Sequence, residues 1–138
     1  MLFRSVEATK CYDGDTQDLV MTTTLSSEVK QGAPLPTSIV GLGIRIPIGI
    51  IGLSVRVMAP PGGEIRSIEV DGKPAAIGRN TYQGRQMGRV TQRLQPGENT
   101  VIITKFRSAR GTPGDPILRA TPSAHPADAN RVGPSACV

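Results

Sequence analysis

The chain holds two cysteines, Cys11 and Cys137, and one histidine, His125. A catalytic thiol or a zinc site would have to be built from these. Metal sites use closely spaced Cys or His pairs, and these cysteines lie near opposite ends of the chain. His125 sits between Ala124 and Pro126, with no Ser or Cys nucleophile set by a motif, and reads as a surface histidine. Asp13, Asp15 and Asp18 resemble the opening of a calcium loop. The pattern then fails: the position that needs a bidentate Glu is Thr24 and the glycine position is Asp18, so an Asx-rich turn is the better reading. Gly41-x-Gly43 lacks the third glycine of a dinucleotide fingerprint, since residue 46 is Ile, and no Gly-Lys-Ser/Thr phosphate loop occurs. No spacing among the 11 acids marks a glycosidase pair. The sequence thus predicts no catalytic residues, no metal and no cofactor, and a protein that is not an enzyme.

Basic residues offer more. The formal net charge is +5 and the pI about 9.8, which favours anionic neighbours without choosing among them. Arg85, Arg89 and Arg93 are spaced by four, so an extended strand puts them on one side; Lys105 or Arg107 on the next strand would lengthen the stripe. These three arginines are the candidate polyanion-binding surface, set against an ordinary solvated basic face. Only Phe3, Tyr12, Tyr82 and Phe106 could stack on bases, which disfavours nucleic acid.

Cys11 and Cys137 are expected to form one disulfide. In the loop-entropy description, closing nearly the whole chain stabilises the fold by roughly 5 kcal/mol. The bond requires an oxidising compartment, so the localisation read from it is extracytoplasmic. The opening MLFRSVEATK is not a signal peptide, having no sustained apolar stretch, and the chain is read as a piece of a longer protein. The competing reading is an intact cytosolic protein with reduced cysteines.

The elements that must position these residues are strands. With 16 Gly and 12 Pro among 138 residues, turns should be many and helices few. Leu19, Met21, Thr23 and Leu25 alternate along one strand, and Leu53, Val55 and Val57 along a second that ends at Pro60-Pro61-Gly62-Gly63. Ile65–Val70, Asp71-Gly72 and Lys73–Ile77 spell a hairpin. Arg89–Leu94, Gln95–Glu98 and Thr100–Phe106 spell another strand–turn–strand unit, and Pro116–Ala120 a short further strand. The segment Ile39–Leu53 is the most apolar stretch but is interrupted by Arg45, Pro47 and four glycines, so it cannot span a bilayer. It reads first as an inward-packed loop and strand entry, then as a partner-facing or membrane-surface patch. The expectation is a single all-β domain over 1–138, an immunoglobulin-like antiparallel β-sandwich, with a small β-barrel as the alternative. Residues 1–16 are a lead-in, and 112–138 form a Pro-rich extended tail stapled by the disulfide.

The succession Ile39-Val40-Gly41, Pro47-Ile48-Gly49, Val55–Gly62, Asp71-Gly72-Lys73-Pro74, Gly84-Arg85, Leu94–Glu98 and Thr121-Pro122 resembles one known family. It is similar to the C-terminal extracellular region of actinobacterial membrane-anchored proteins of domain-of-unknown-function family 4012, over about residues 17 to 122. That family has no established activity or catalytic residues. The resemblance implies a non-enzymatic structural or interaction module of a cell-envelope protein, held to the membrane only through an anchor upstream. Its expected partner is a cell-wall polymer or an envelope protein. The other readings are a polyanion-binding domain, or an accessory domain of an enzyme whose catalytic part lies upstream.

Overall fold

The computed structural model describes residues 2–30, 47, 49–75, 78–121 and 129–137. Nine strands follow in order: β1 (Leu2–Tyr12), β2 (Thr16–Ser26), β3 (Ile51–Met58), β4 (Glu64–Val70), β5 (Lys73–Pro74), β6 (Gly78–Tyr82), β7 (Arg85–Leu94), β8 (Asn99–Arg107) and β9 (Ala129–Val132). They form a six-stranded sheet in the order β5-β4-β8-β2-β1-β9 and a three-stranded sheet in the order β3-β7-β6. No helix forms among the described residues, and no ladder joins the two sheets there, so the fold is a β-sandwich and not a closed barrel.

The period-2 pattern decides which face of each strand is buried. On β2 the inward row is Gln17, Leu19, Met21, Thr23 and Leu25; on β8 it is Thr100, Ile102, Thr104 and Phe106. From the small sheet, Val57 and Val90 meet Ile65, Ile68 and Ile102 of the large one in a single apolar cluster. Gly88 on β7 lies hard against the large sheet: a Cβ there would stand 2.8 Å from Ile68 Cδ1. The absence of a side chain at this point lets the two layers meet.

The Asp71-Gly72 hairpin forms as its residue types demand. Both residues have positive φ (50° and 80°), and Val70 pairs directly with Lys73. The described return strand is Lys73–Pro74, and bonding to β4 continues just past it, Ala75 N donating to the Ile68 carbonyl at 3.0 Å; Ala76 and Ile77 lie outside the described residues.

Several elements differ from expectation. The expected lead-in contains β1, an eleven-residue strand paired with β2 along its length. Residues 116–120 form no strand, while Ala129–Val132 of the expected extended tail does. That β9 runs parallel to β1, pairing Phe3 with Ala129 through Val6 with Val132, an exception to the antiparallel pairing elsewhere. The Gln95–Glu98 turn does not close a hairpin: β7 lies in the small sheet and β8 in the large one, so the turn is a corner between layers. The apolar segment falls mostly outside the described residues; its last three positions, Ile51–Leu53, open β3.

The disulfide Cys11–Cys137 forms, with Cα atoms 5.1 Å apart across 126 positions of sequence. Beside it Gln17, 2% exposed, clasps the C-terminal segment. Its amide nitrogen donates to the carbonyls of Thr112 (3.2 Å) and Gly114 (2.8 Å), and its oxygen accepts from Ser135 Oγ (3.1 Å) and Ala136 N (2.9 Å).

Candidate functional site

The outward face of the small sheet is built by the alternation that builds the core. On β7 the even positions Gly88, Val90 and Leu94 are buried, so Arg85, Met87, Arg89, Thr91 and Arg93 project to the other side. The three arginines singled out by their spacing therefore share one face. Arg89 and Arg93 are exposed there; Arg85 is half-buried, its Nε donating to the Ala59 carbonyl at 2.8 Å. The sequence spacing did not disclose a fourth cation. Antiparallel pairing of β3 with β7 sets Arg56 directly opposite Arg89, with Gly52 opposite Arg93, Ser54 opposite Thr91 and Met58 opposite Met87. From the other side β6 brings Tyr82 to Arg85 and Asn80 to Met87.

Strands β3, β6 and β7 carry arginines at 56, 79, 85, 89 and 93, and not one aspartate or glutamate. The large sheet differs, with Glu7, Asp18, Glu64 and Glu69 interspersed among its basic residues. Like charges directly across neighbouring strands weaken a sheet, so the Arg56–Arg89 pair costs the fold stability. Lys105 and Arg107 do not extend the stripe as expected: β8 belongs to the other layer, and Arg107 points away from the sandwich on its far side.

That far side holds a compensated cluster. Asp18 stands opposite Arg107 in the β2–β8 ladder; Arg107 Nε donates to Asp18 Oδ1 at 2.9 Å and Tyr12 Oη to Oδ2 at 2.7 Å. Arg107 also donates to Tyr12 Oη at 3.2 Å and lies over its ring, 4.6 Å from the centroid. The Arg107 hydrogen bond, and secondly that of Tyr12, holds the Asp18 carboxyl below its ordinary range against the opposing effect of partial burial. Asp18 is thereby committed to an ion pair. Asp15 accepts from Thr16 Oγ1 at 3.0 Å, and no group of three potential metal ligands exists among the described residues.

Beside this cluster the β1–β2 turn, the Gly62-Gly63 loop and the end of β8 enclose an open cleft of about 500 Å³. Gly63 is pressed against the strand end, where a Cβ would fall 2.5 Å from the Arg107 carbonyl oxygen. The cleft mixes Asp13 and Glu64 with Arg107 and Arg110, so its charge selects no class of ligand. His125 lies outside the described residues.

Comparison of the chain with protein families, with curated proteins and with solved structures found no match.

Proposed function

We propose that this chain is a non-enzymatic binding module of an actinobacterial cell-envelope protein, and that it presents the outer face of its three-stranded sheet to an anionic wall polymer. The observation that carries the reading is the acid-free arginine face, in which Arg56 opposes Arg89 with no carboxylate on any of the three strands. A sheet that retains such a pair gives up cross-strand stability and gains an attractive field for anions. The disulfide supports placing the module in an oxidising, extracytoplasmic setting. The order of motifs that resembles the extracellular region of membrane-anchored actinobacterial proteins supports the envelope.

Binding to polygalacturonate, a linear polycarboxylate, tests the reading. Affinity should fall linearly on logarithmic axes as salt rises, and Arg89→Gln should lower the slope by about one. Affinity independent of salt, or unchanged in Arg56→Glu and Arg89→Glu, would remove the reading.

A further inference from the structure

Resting on that reading, we infer that Arg56 and Arg89 together hold one phosphate monoester, a terminal or pendant phosphate of the wall polymer. The two arginines stand directly opposite each other on β3 and β7, both exposed, and the Cβ atoms of such a pair lie about 4.5–5.5 Å apart. Neither guanidinium group has a hydrogen bond or an ion pair among the described residues. Arg85 and Arg107 differ in this respect, the first donating to the Ala59 carbonyl and the second paired with Asp18. Residues 31–50, which lead into β3, bring no aspartate or glutamate. An anion that touches both guanidinium groups turns their repulsion into a shared attraction, and a dianion matches their charge. A phosphate monoester carries about −1.5 to −2 at pH 7, whereas a carboxylate, a sulfate ester or a phosphodiester carries a single charge.

What flanks the pair narrows the chemistry. One step along the sheet, about 7 Å away, Ser54 opposes Thr91; both are exposed, and neither hydroxyl has a partner among the described residues. Guanidinium forks take two oxygens of a tetrahedral anion, and the hydroxyl pair takes a third, which a planar carboxylate does not have. One step in the other direction Met58, 40% exposed, opposes Met87. The methionine pair offers no donor and suits the ester substituent. A diester carries a second substituent, which would displace an oxygen from the hydroxyl pair, so the surroundings favour the monoester.

The test is NMR titration of the intact, oxidised protein with phenyl phosphate, phenyl sulfate and benzoate at one ionic strength, at about pH 7.5 and about pH 5.5. At the higher pH phenyl phosphate should bind at least about tenfold more tightly than the other two, and the Arg56 and Arg89 Nε–H signals should shift together along one saturation curve. The titratable residues of β3, β6 and β7 are arginines and Tyr82, which keep their charge state across this range, while a phosphate monoester takes up its proton near pH 6. Phenyl phosphate should therefore lose about three- to fourfold in affinity at the lower pH, and phenyl sulfate nothing. Thr91→Val should cut the preference for phosphate over benzoate about fivefold, and Arg56→Gln should weaken every probe. A glycerol-phosphate oligomer that ends in a phosphate monoester should bind more tightly than the same oligomer with a free hydroxyl end. Equal affinity for phosphate and sulfate, a phosphate affinity that ignores pH, or an Arg56→Gln variant that binds phenyl phosphate like the wild type would overturn the inference. Phosphatidic acid vesicles that bind more tightly than the phosphate-ended oligomer would move the group to a lipid and overturn it too. In each case salt-dependent binding of polygalacturonate would leave the arginine face standing. No salt-dependent binding of any probe would overturn both.

Discussion

At the scale of single residues, the chain separates positions that serve stability from positions that oppose it. Arg56 and Arg89 face each other, and the fold would do better without one of them. Arg56→Thr should raise stability by about 0.2–1 kcal/mol in urea denaturation while weakening polyanion binding, because it removes a like-charge pair and supplies a better strand former. An Arg56→Thr protein that is less stable than the wild type would show that the pair is not repulsive. Thr104 is a second such position: it is fully buried, and its Oγ1 has no hydrogen-bond partner among the described residues. Thr104→Val keeps the shape and removes the unpaired hydroxyl, so the same denaturation should show a gain of about 1 kcal/mol. Asp18 behaves in the opposite sense. Its carboxyl titrates lower in the folded chain than in the unfolded one, so the stability it contributes is present above the unfolded value of about 3.9 and is lost as pH falls through the folded value. Melting followed from about pH 5 down to about pH 2 should decline more steeply in the wild type than in Asp18→Asn. The Arg85, Arg89 and Arg93 row was legible because four-residue spacing survives any antiparallel register. Arg56 and the Tyr12–Asp18–Arg107 cluster were not, because they depend on which strands become neighbours.

At the scale of elements, local turn chemistry and alternation carried most of what the sequence could disclose. Asp71-Gly72 sets its hairpin because Asp and Gly accept positive φ, and alternation marked the inward rows of β2 and β3. β1 was missed because its burial alternates weakly: it lies between β2 and β9, near the edge of the large sheet, with one buried residue, Val6. The layer change at Gln95–Glu98 was illegible because a four-residue turn can close a hairpin or lead a strand to the opposite sheet. Placing β8 in the large sheet is what removes Lys105 and Arg107 from the arginine face. The clasp around Gln17 joins β2 to segments about a hundred positions away, a contact no local pattern can signal. Gln17→Ala should leave the Thr112 and Gly114 carbonyls and the Ala136 N–H without their partner, costing about 1–3 kcal/mol. Amide exchange should speed up in residues 112–115 and 133–137 while the β7 amides keep their protection.

At the scale of the whole molecule, a sandwich with two outward faces of different electrical character is fastened by one covalent bond between near-terminal residues. The large sheet carries acids among its basic residues, as at Asp18 and Arg107; the strands of the small sheet carry arginines and no acid. The disulfide was legible from the count and placement of the cysteines, though its partners in holding the tail were not. Reduction should lower stability by about 2–5 kcal/mol, and alkylation under denaturing conditions should find two thiols only after reductant is added. Thiols that react without reduction would contradict the bond and, with it, the support for an extracytoplasmic setting. The proposed polyanion binding resides in the arginine face. The measurement that tests it most directly is the affinity for polygalacturonate between about 50 and 200 mM salt, for the wild type and for Arg89→Glu. Wild-type affinity should fall steeply with salt, and the variant should give a weaker, flatter curve. Two superimposable curves, or a wild-type affinity that ignores salt, would contradict it.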